Sequence, residues 1–210
     1  TNKNCLVVIP GAARSFHGES TTGMVLPEST GKQICLTVAR IHPRKGQHAC
    51  LEAIQKLPEN LRNKVEYWIA GSIVDKSYQQ RLLDMANRAT VIVRFLGEIA
   101  DADLPCLYSR ADLFVMTSVP HAQSIEGFGL VYLEAASYGI PAIGHRTGGV
   151  QESVKEGETG LLCDPNNRHD LVEAFRCLLQ DEDQRRKMGA SAIEFAKCFS
   201  WKAMACGLYD

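Results

Sequence analysis

The chain has 210 residues, 45% of them hydrophobic and 22% charged, which suits one domain with a real core and argues against disorder. A net charge of −1 gives no overall pull toward nucleic acid or an anionic membrane. No apolar run approaches the ~18–20 residues that span a bilayer, and the N-terminus reads as no signal peptide. The eight cysteines show neither CxxC nor zinc spacing, so they read as small buried hydrophobes in a reducing compartment, with disulfides as the alternative.

The first apolar run, 5–10, ends at Pro10-Gly11, and residues 11–31, rich in Gly, Ser, Thr and Pro, read as a linker. A regular alternation follows. Strands are predicted at Ile34–Val38, Val65–Ala70, Thr90–Leu96, Leu113–Met116, Pro141–Gly144 and Gly160–Cys163. Helices are predicted between them at Gln47–Leu57, Ser77–Arg88, Leu104–Arg110, Phe128–Tyr138 and Val150–Lys155. Three more close the chain at 168–180, 182–197 and 200–209. Short strands in near-continuous apolar runs that each precede a helix imply a parallel sheet covered on both faces. Six such strands fit the doubly wound α/β plan, which places ligands at the carboxyl ends of the strands.

Polar residues are therefore sought just after each strand. Arg40, Arg44 and Lys45 follow the first strand; they suit phosphate oxygens, and a solvated basic loop is the plainer alternative. Gly97 follows the third strand, where close approach to the backbone or a simple turn would both use a glycine. After the fourth strand comes Glu126-Gly127-Phe128-Gly129, then Glu134. The glycines there open a helix whose start can face an anion. The two carboxylates, eight residues apart, are expected on one side of that helix, placed to accept from sugar hydroxyls. Gly148 and Gly149 open another helix after the fifth strand, beside His145, which reads as structural or catalytic. The GxGxxG of a nicotinamide-binding unit is absent.

In sequence these pieces resemble a family 4 retaining glycosyltransferase, a group 1 glycosyl transferase. EGFGLVYLEA (126–135), YGIP (138–141), TGGVQE (147–152) and GETGLL (157–162) carry the likeness, with VARIHPRKG (38–46), WIAGS (68–72), FLGEI (95–99) and LYSRADLFVMTS (107–118) before them. VIPGAA (8–13) looks like the hinge into that family's C-terminal domain.

The resemblance implies the donor-binding, C-terminal half of a two-domain GT-B fold, with residues 1–31 as hinge and 32–210 as a Rossmann-like domain with a helical C-terminal extension. It implies that Arg40 and Lys45 contact the donor diphosphate and that Glu126 lies near the donor sugar hydroxyls, these three forming the catalytic set. It implies backbone N–H groups from Phe128, Gly129 and Leu130 on the sugar and phosphate, Glu134 on the ribose, and Arg94 to Gly97 at the nucleobase.

The expected donor is a nucleotide-diphosphate sugar, GDP-mannose or a UDP-sugar, with no metal and no other cofactor. The expected partners are an N-terminal acceptor domain and a glycan or membrane-associated lipid acceptor, with no nucleic acid. The implied location is cytoplasmic, peripheral at the inner membrane face through the other domain. A nonhydrolysing sugar-nucleotide epimerase half and a non-catalytic nucleotide-binding module are the alternatives. The loop between Ser118 and Glu126 is longer than the spacer of many members. Arg146 reads equally as a further cation near the diphosphate or as a surface residue.

Overall fold

The structure is a computed structural model and describes residues 26–28, 30–121 and 126–199. The 5–10 run, most of the linker and the 200–209 helix lie outside the described residues.

Six strands form one parallel sheet: β1 (Gln33–Val38), β2 (Val65–Ala70), β3 (Ile92–Gly97), β4 (Leu113–Met116), β5 (Ala142–His145) and β6 (Gly160–Cys163), in the order β3-β2-β1-β4-β5-β6. Side chains alternate between two buried faces, the period of two that any pleated strand imposes. Cys35, Tyr67, Ile69, Leu113, Val115 and Ile143 point to one layer, with α1 (Gln47–Gln55), α2 (Glu59–Arg62), α3 (Lys76–Asn87) and α7 (Arg168–Gln180) on that side. Leu36, Trp68, Phe114, Met116, Ala142 and Leu162 point to the other, beneath α4 (Leu104–Tyr108), α5 (Leu130–Ser137) and α6 (Val150–Ser153). Burying both faces explains why the strands read as near-continuous apolar runs. A last helix, α8 (Glu182–Lys197), lies along α5, where Ala136, Ala192 and Ala196 permit close approach.

Side-chain caps start the longer helices. Asp75 accepts from the Tyr78 N–H at 2.9 Å, Asn167 from His169 at 3.1 Å and Asp181 from Gln184 at 2.8 Å. The α2 turn follows Pro58 and was not expected from the sequence. Helix α5 begins at Leu130, two residues later than expected, because Gly129 takes a left-handed φ of 76° and cannot belong to the helix.

The order in which strands are added reverses between β1 and β4, which remain parallel, and the two part there. Their register stops at Leu36↔Phe114, whereas β1 and β2 stay paired to Val38↔Ala70. The Thr37 hydroxyl takes the Val115 carbonyl in place of a further backbone bond. This is the switch point of the sheet, outside which doubly wound folds have their crevice at the carboxyl edge.

Candidate functional site

The loop after β1 is rigid for local reasons. His42 caps a 3-10 turn over Pro43–Lys45, its Nδ1 accepting from the Arg44 N–H at 3.1 Å. Gly46 then adopts a φ of 70°, and a Cβ there would lie 2.0 Å from the Thr117 carbonyl oxygen. That close approach lets the loop after β1 lie against the loop after β4. The Thr117 hydroxyl donates to the Gly46 carbonyl at 2.8 Å, and the Val119 N–H donates to the Arg44 carbonyl at 2.9 Å.

Glu126 sits where these loops meet. Its Oε2 accepts from Arg44 Nη1 at 2.9 Å, Lys45 Nζ at 2.6 Å and Ser118 Oγ at 2.8 Å. The three charged side chains are only 10–12% exposed. Burial pushes the Glu126 carboxyl up, but the hydrogen bonds and charges of Lys45, Ser118 and Arg44 outweigh it and hold the group below its ordinary value. Burial lowers Lys45 despite Glu126 beside it. The paired glycines after β5 make room for the backbone that carries this carboxylate: a Cβ on Gly148 would lie 2.1 Å from the Glu126 carbonyl oxygen, and one on Gly149 1.9 Å from that of Gly127. Their expected role was to open a helix; they also let the Glu126 backbone pass over them.

Next to the cluster a groove of about 270 Å³ runs over the ends of β1, β2 and β3 and is lined by Arg40, Gly71, Ser72, Ile99, Val131 and Glu134 among others. Glu134 is 7% exposed and accepts from the Tyr108 hydroxyl at 2.9 Å. Arg40 is exposed, and its guanidinium meets no carboxylate among the described residues. Gly97 ends β3 at this rim, its carbonyl accepting from the Gly71 N–H at 2.7 Å. Phe128, Gly129 and Leu130 lead into α5, whose first N–H groups have no partner within the helix, as at any helix start.

The structure thus brings Arg40, Lys45, Glu126, Gly97, Phe128, Gly129, Leu130 and Glu134 to one edge. Arg94 is placed apart from them. It lies three residues before the end of β3, about 10 Å down the sheet at ~3.3 Å per residue. Its Nε donates to Glu66 Oε2 at 2.8 Å, the same oxygen that takes Trp68 Nε1 at 2.8 Å. It ties β3 to β2 and is not among the residues that line the groove. Glu126 precedes the helix, as its place in the sequence implies, and Glu134 lies within it.

Arg44 was counted among the loop cations but given no role. Which of the three turns inward depends on a carboxylate 82 residues away, which local pattern cannot reveal. His145 is 5% exposed, and burial lowers its pKa, which disfavours the charged form. Arg146 donates to the Leu162 carbonyl at 3.0 Å and pairs with Glu156 at 3.3 Å, the surface alternative. Cys35, Cys50 and Cys163 are buried and, like every described cysteine, unbridged.

Comparison with known proteins adds the family. Residues 24–195 match the glycosyl transferases group 1. The chain is 33% identical over 177 residues to the D-inositol 3-phosphate glycosyltransferase of Corynebacterium glutamicum, covering 81% of this chain and 41% of that protein. It is 30% identical over 182 residues to the GDP-mannose-dependent alpha-(1-6)-phosphatidylinositol monomannoside mannosyltransferase of Mycobacterium tuberculosis, covering 84% and 46%. Anabaena Alr3699/HepE, solved with UDP and glucose, superposes with a TM-score of 0.75 at 25% identity over 85% of this chain and 47% of that one. The C-terminal domain of the group 1 protein LpcC from Francisella tularensis superposes with a TM-score of 0.69 at 25% identity, covering 80% of this chain and 85% of that domain. The chain spans half or less of the curated relatives it matches, between 40% and 50% of their length.

Proposed function

The chain belongs to the glycosyl transferases group 1 family, and from that premise we propose that it is the donor-binding half of a retaining glycosyltransferase. The observation that carries this reading is the buried Arg44–Lys45–Glu126 cluster standing beside the groove that Arg40 and Glu134 line. In this reading Arg40, Lys45 and the start of α5 stabilise the charge that grows on the departing nucleoside diphosphate. Glu134 accepts from ribose hydroxyls. Glu126, with Oε2 occupied, offers Oε1 to a hydroxyl of the donor sugar.

The donor is GDP-mannose or a UDP-sugar. The GDP-mannose-dependent mannosyltransferase and the UDP-bound HepE support these two. Residues 1–31 act as the hinge from an N-terminal acceptor domain, and 32–210 hold the donor. The acceptor is a glycan or a lipid at the cytoplasmic membrane face. The cations and helix start balance the diphosphate without a metal, so EDTA leaves turnover unchanged.

The test is the full-length protein with GDP-mannose and UDP-glucose, an acceptor pool, and NMR of the product's anomeric centre. Transfer with retention is expected. Inversion overturns the mechanism, and a lack of transfer from every nucleotide sugar overturns the reading.

A further inference from the structure

The two cations that share Glu126 are held differently. Arg44 is fixed at three points: its N–H on His42 Nδ1 at 3.1 Å, its carbonyl on the Val119 N–H at 2.9 Å, and its guanidinium on Glu126 at 2.9 Å. Among the described residues, the Lys45 ammonium has Glu126 Oε2 as its one side-chain partner, at 2.6 Å. It is a point charge on a flexible four-carbon stem. A buried carboxylate stripped of its cations is costly, so Lys45 can turn to another anion only where something else still compensates Glu126.

We propose that Arg44 is a positioning residue that keeps Glu126 compensated while Lys45 swings from that carboxylate to the diphosphate of an arriving nucleotide; this rests on the donor-binding reading above. Arg44 then raises diphosphate affinity without touching the ligand. Without it, Glu126 keeps Lys45 for itself. The geometry suits this division of labour, because Arg44 and Ser118 both stay on Oε2 after Lys45 has left.

The test is calorimetric titration of the chain with GDP and with UDP, which carry no sugar for Glu126 to hold. Arg44→Gln is expected to weaken the diphosphate that binds by roughly tenfold, the scale of one charged hydrogen bond. Adding Glu126→Gln to it releases Lys45 and restores affinity to within about threefold, and Arg44→Lys, which keeps the charge, stays within the same range. A role in folding alone would move melting temperatures but not produce this rescue. Equal affinity of Arg44→Gln and the unaltered chain overturns the proposal, as do additive losses in the double variant. If the unaltered chain binds neither nucleotide, the donor reading fails and this inference falls with it.

Discussion

The crevice between β1 and β4 and the groove over the ends of β1, β2 and β3 share one sheet edge, but they are assembled differently. In the crevice a carboxylate, two cations and a hydroxyl already satisfy one another, with 10–12% of the charged side chains exposed. In the groove Glu134 holds a tyrosine hydroxyl and Arg40 stands exposed. The crevice is bound into the fold, so its charges contribute to stability as well as to binding. The groove joins an exposed cation to a buried carboxylate along its wall, so Arg40 can exchange water for a ligand. Two carboxylates eight residues apart in one motif thus carry different energetic roles.

This contrast can be broken most forcefully at Glu126. Glu126→Ala leaves Arg44 and Lys45 buried with no counter-charge and should cost about 3–5 kcal/mol in urea unfolding. A loss under about 1 kcal/mol would mean that the cluster is no compensated network.

Glu134→Ala should shift the balance toward binding, costing about 1–2 kcal/mol of stability through the lost Tyr108 bond and weakening nucleoside diphosphate binding by about 1.5–3 kcal/mol, one to two decades. Paired melting and affinity measurements separate the two; unchanged affinity sinks the ribose role.

Gly149→Ala forces a methyl to within 1.9 Å of the Gly127 carbonyl oxygen and should cost about 1–3 kcal/mol through backbone displacement. Because the displaced segment adjoins Glu126, nucleotide affinity should fall with stability. A variant as stable as the unaltered chain would show that the two backbones need not touch.

Acid sharpens the comparison further. Glu126 and Glu66 both titrate below their ordinary value, Glu126 through Lys45, Ser118 and Arg44, and Glu66 through Arg94, Thr30 and Trp68, in each case against burial. A carboxyl with a lowered folded pKa stabilises the fold above its unfolded pKa and loses that contribution as pH falls. Melting temperature should therefore drop as pH falls below the ordinary glutamate value of about 4.3. A flat acid limb would contradict the assignment. Arg94→Ala should shallow that limb, cost about 1–3 kcal/mol because it leaves the buried Glu66 carboxylate without its cation, and leave nucleotide affinity untouched. A loss of affinity would return Arg94 to the groove.

Much of this architecture was legible in the sequence. Val65–Ala70, Leu113–Met116 and Gly160–Cys163 were read with the bounds observed, because strands buried on both faces are near-continuous apolar runs ended by a glycine or polar residue. The site's edge followed from the same alternation, since ligands in such sheets gather after the strands. What stayed illegible was pairing across the chain. Arg94 looked available because nothing local shows Glu66 on the neighbouring strand. Arg44 looked like any loop cation because its partner lies 82 residues on. Gly148 and Gly149 read as a helix opening, and only the packed loops show which backbone they clear.

The central claim is that this edge holds a nucleoside diphosphate through Lys45, and calorimetric titration tests it most directly. GDP or UDP should bind the unaltered chain, and Lys45→Met should weaken that binding by roughly ten- to a hundredfold. Guanosine or uridine, lacking the diphosphate, should bind both chains alike. No heat from any nucleoside diphosphate at millimolar concentration, or equal affinity for both chains, would contradict the account.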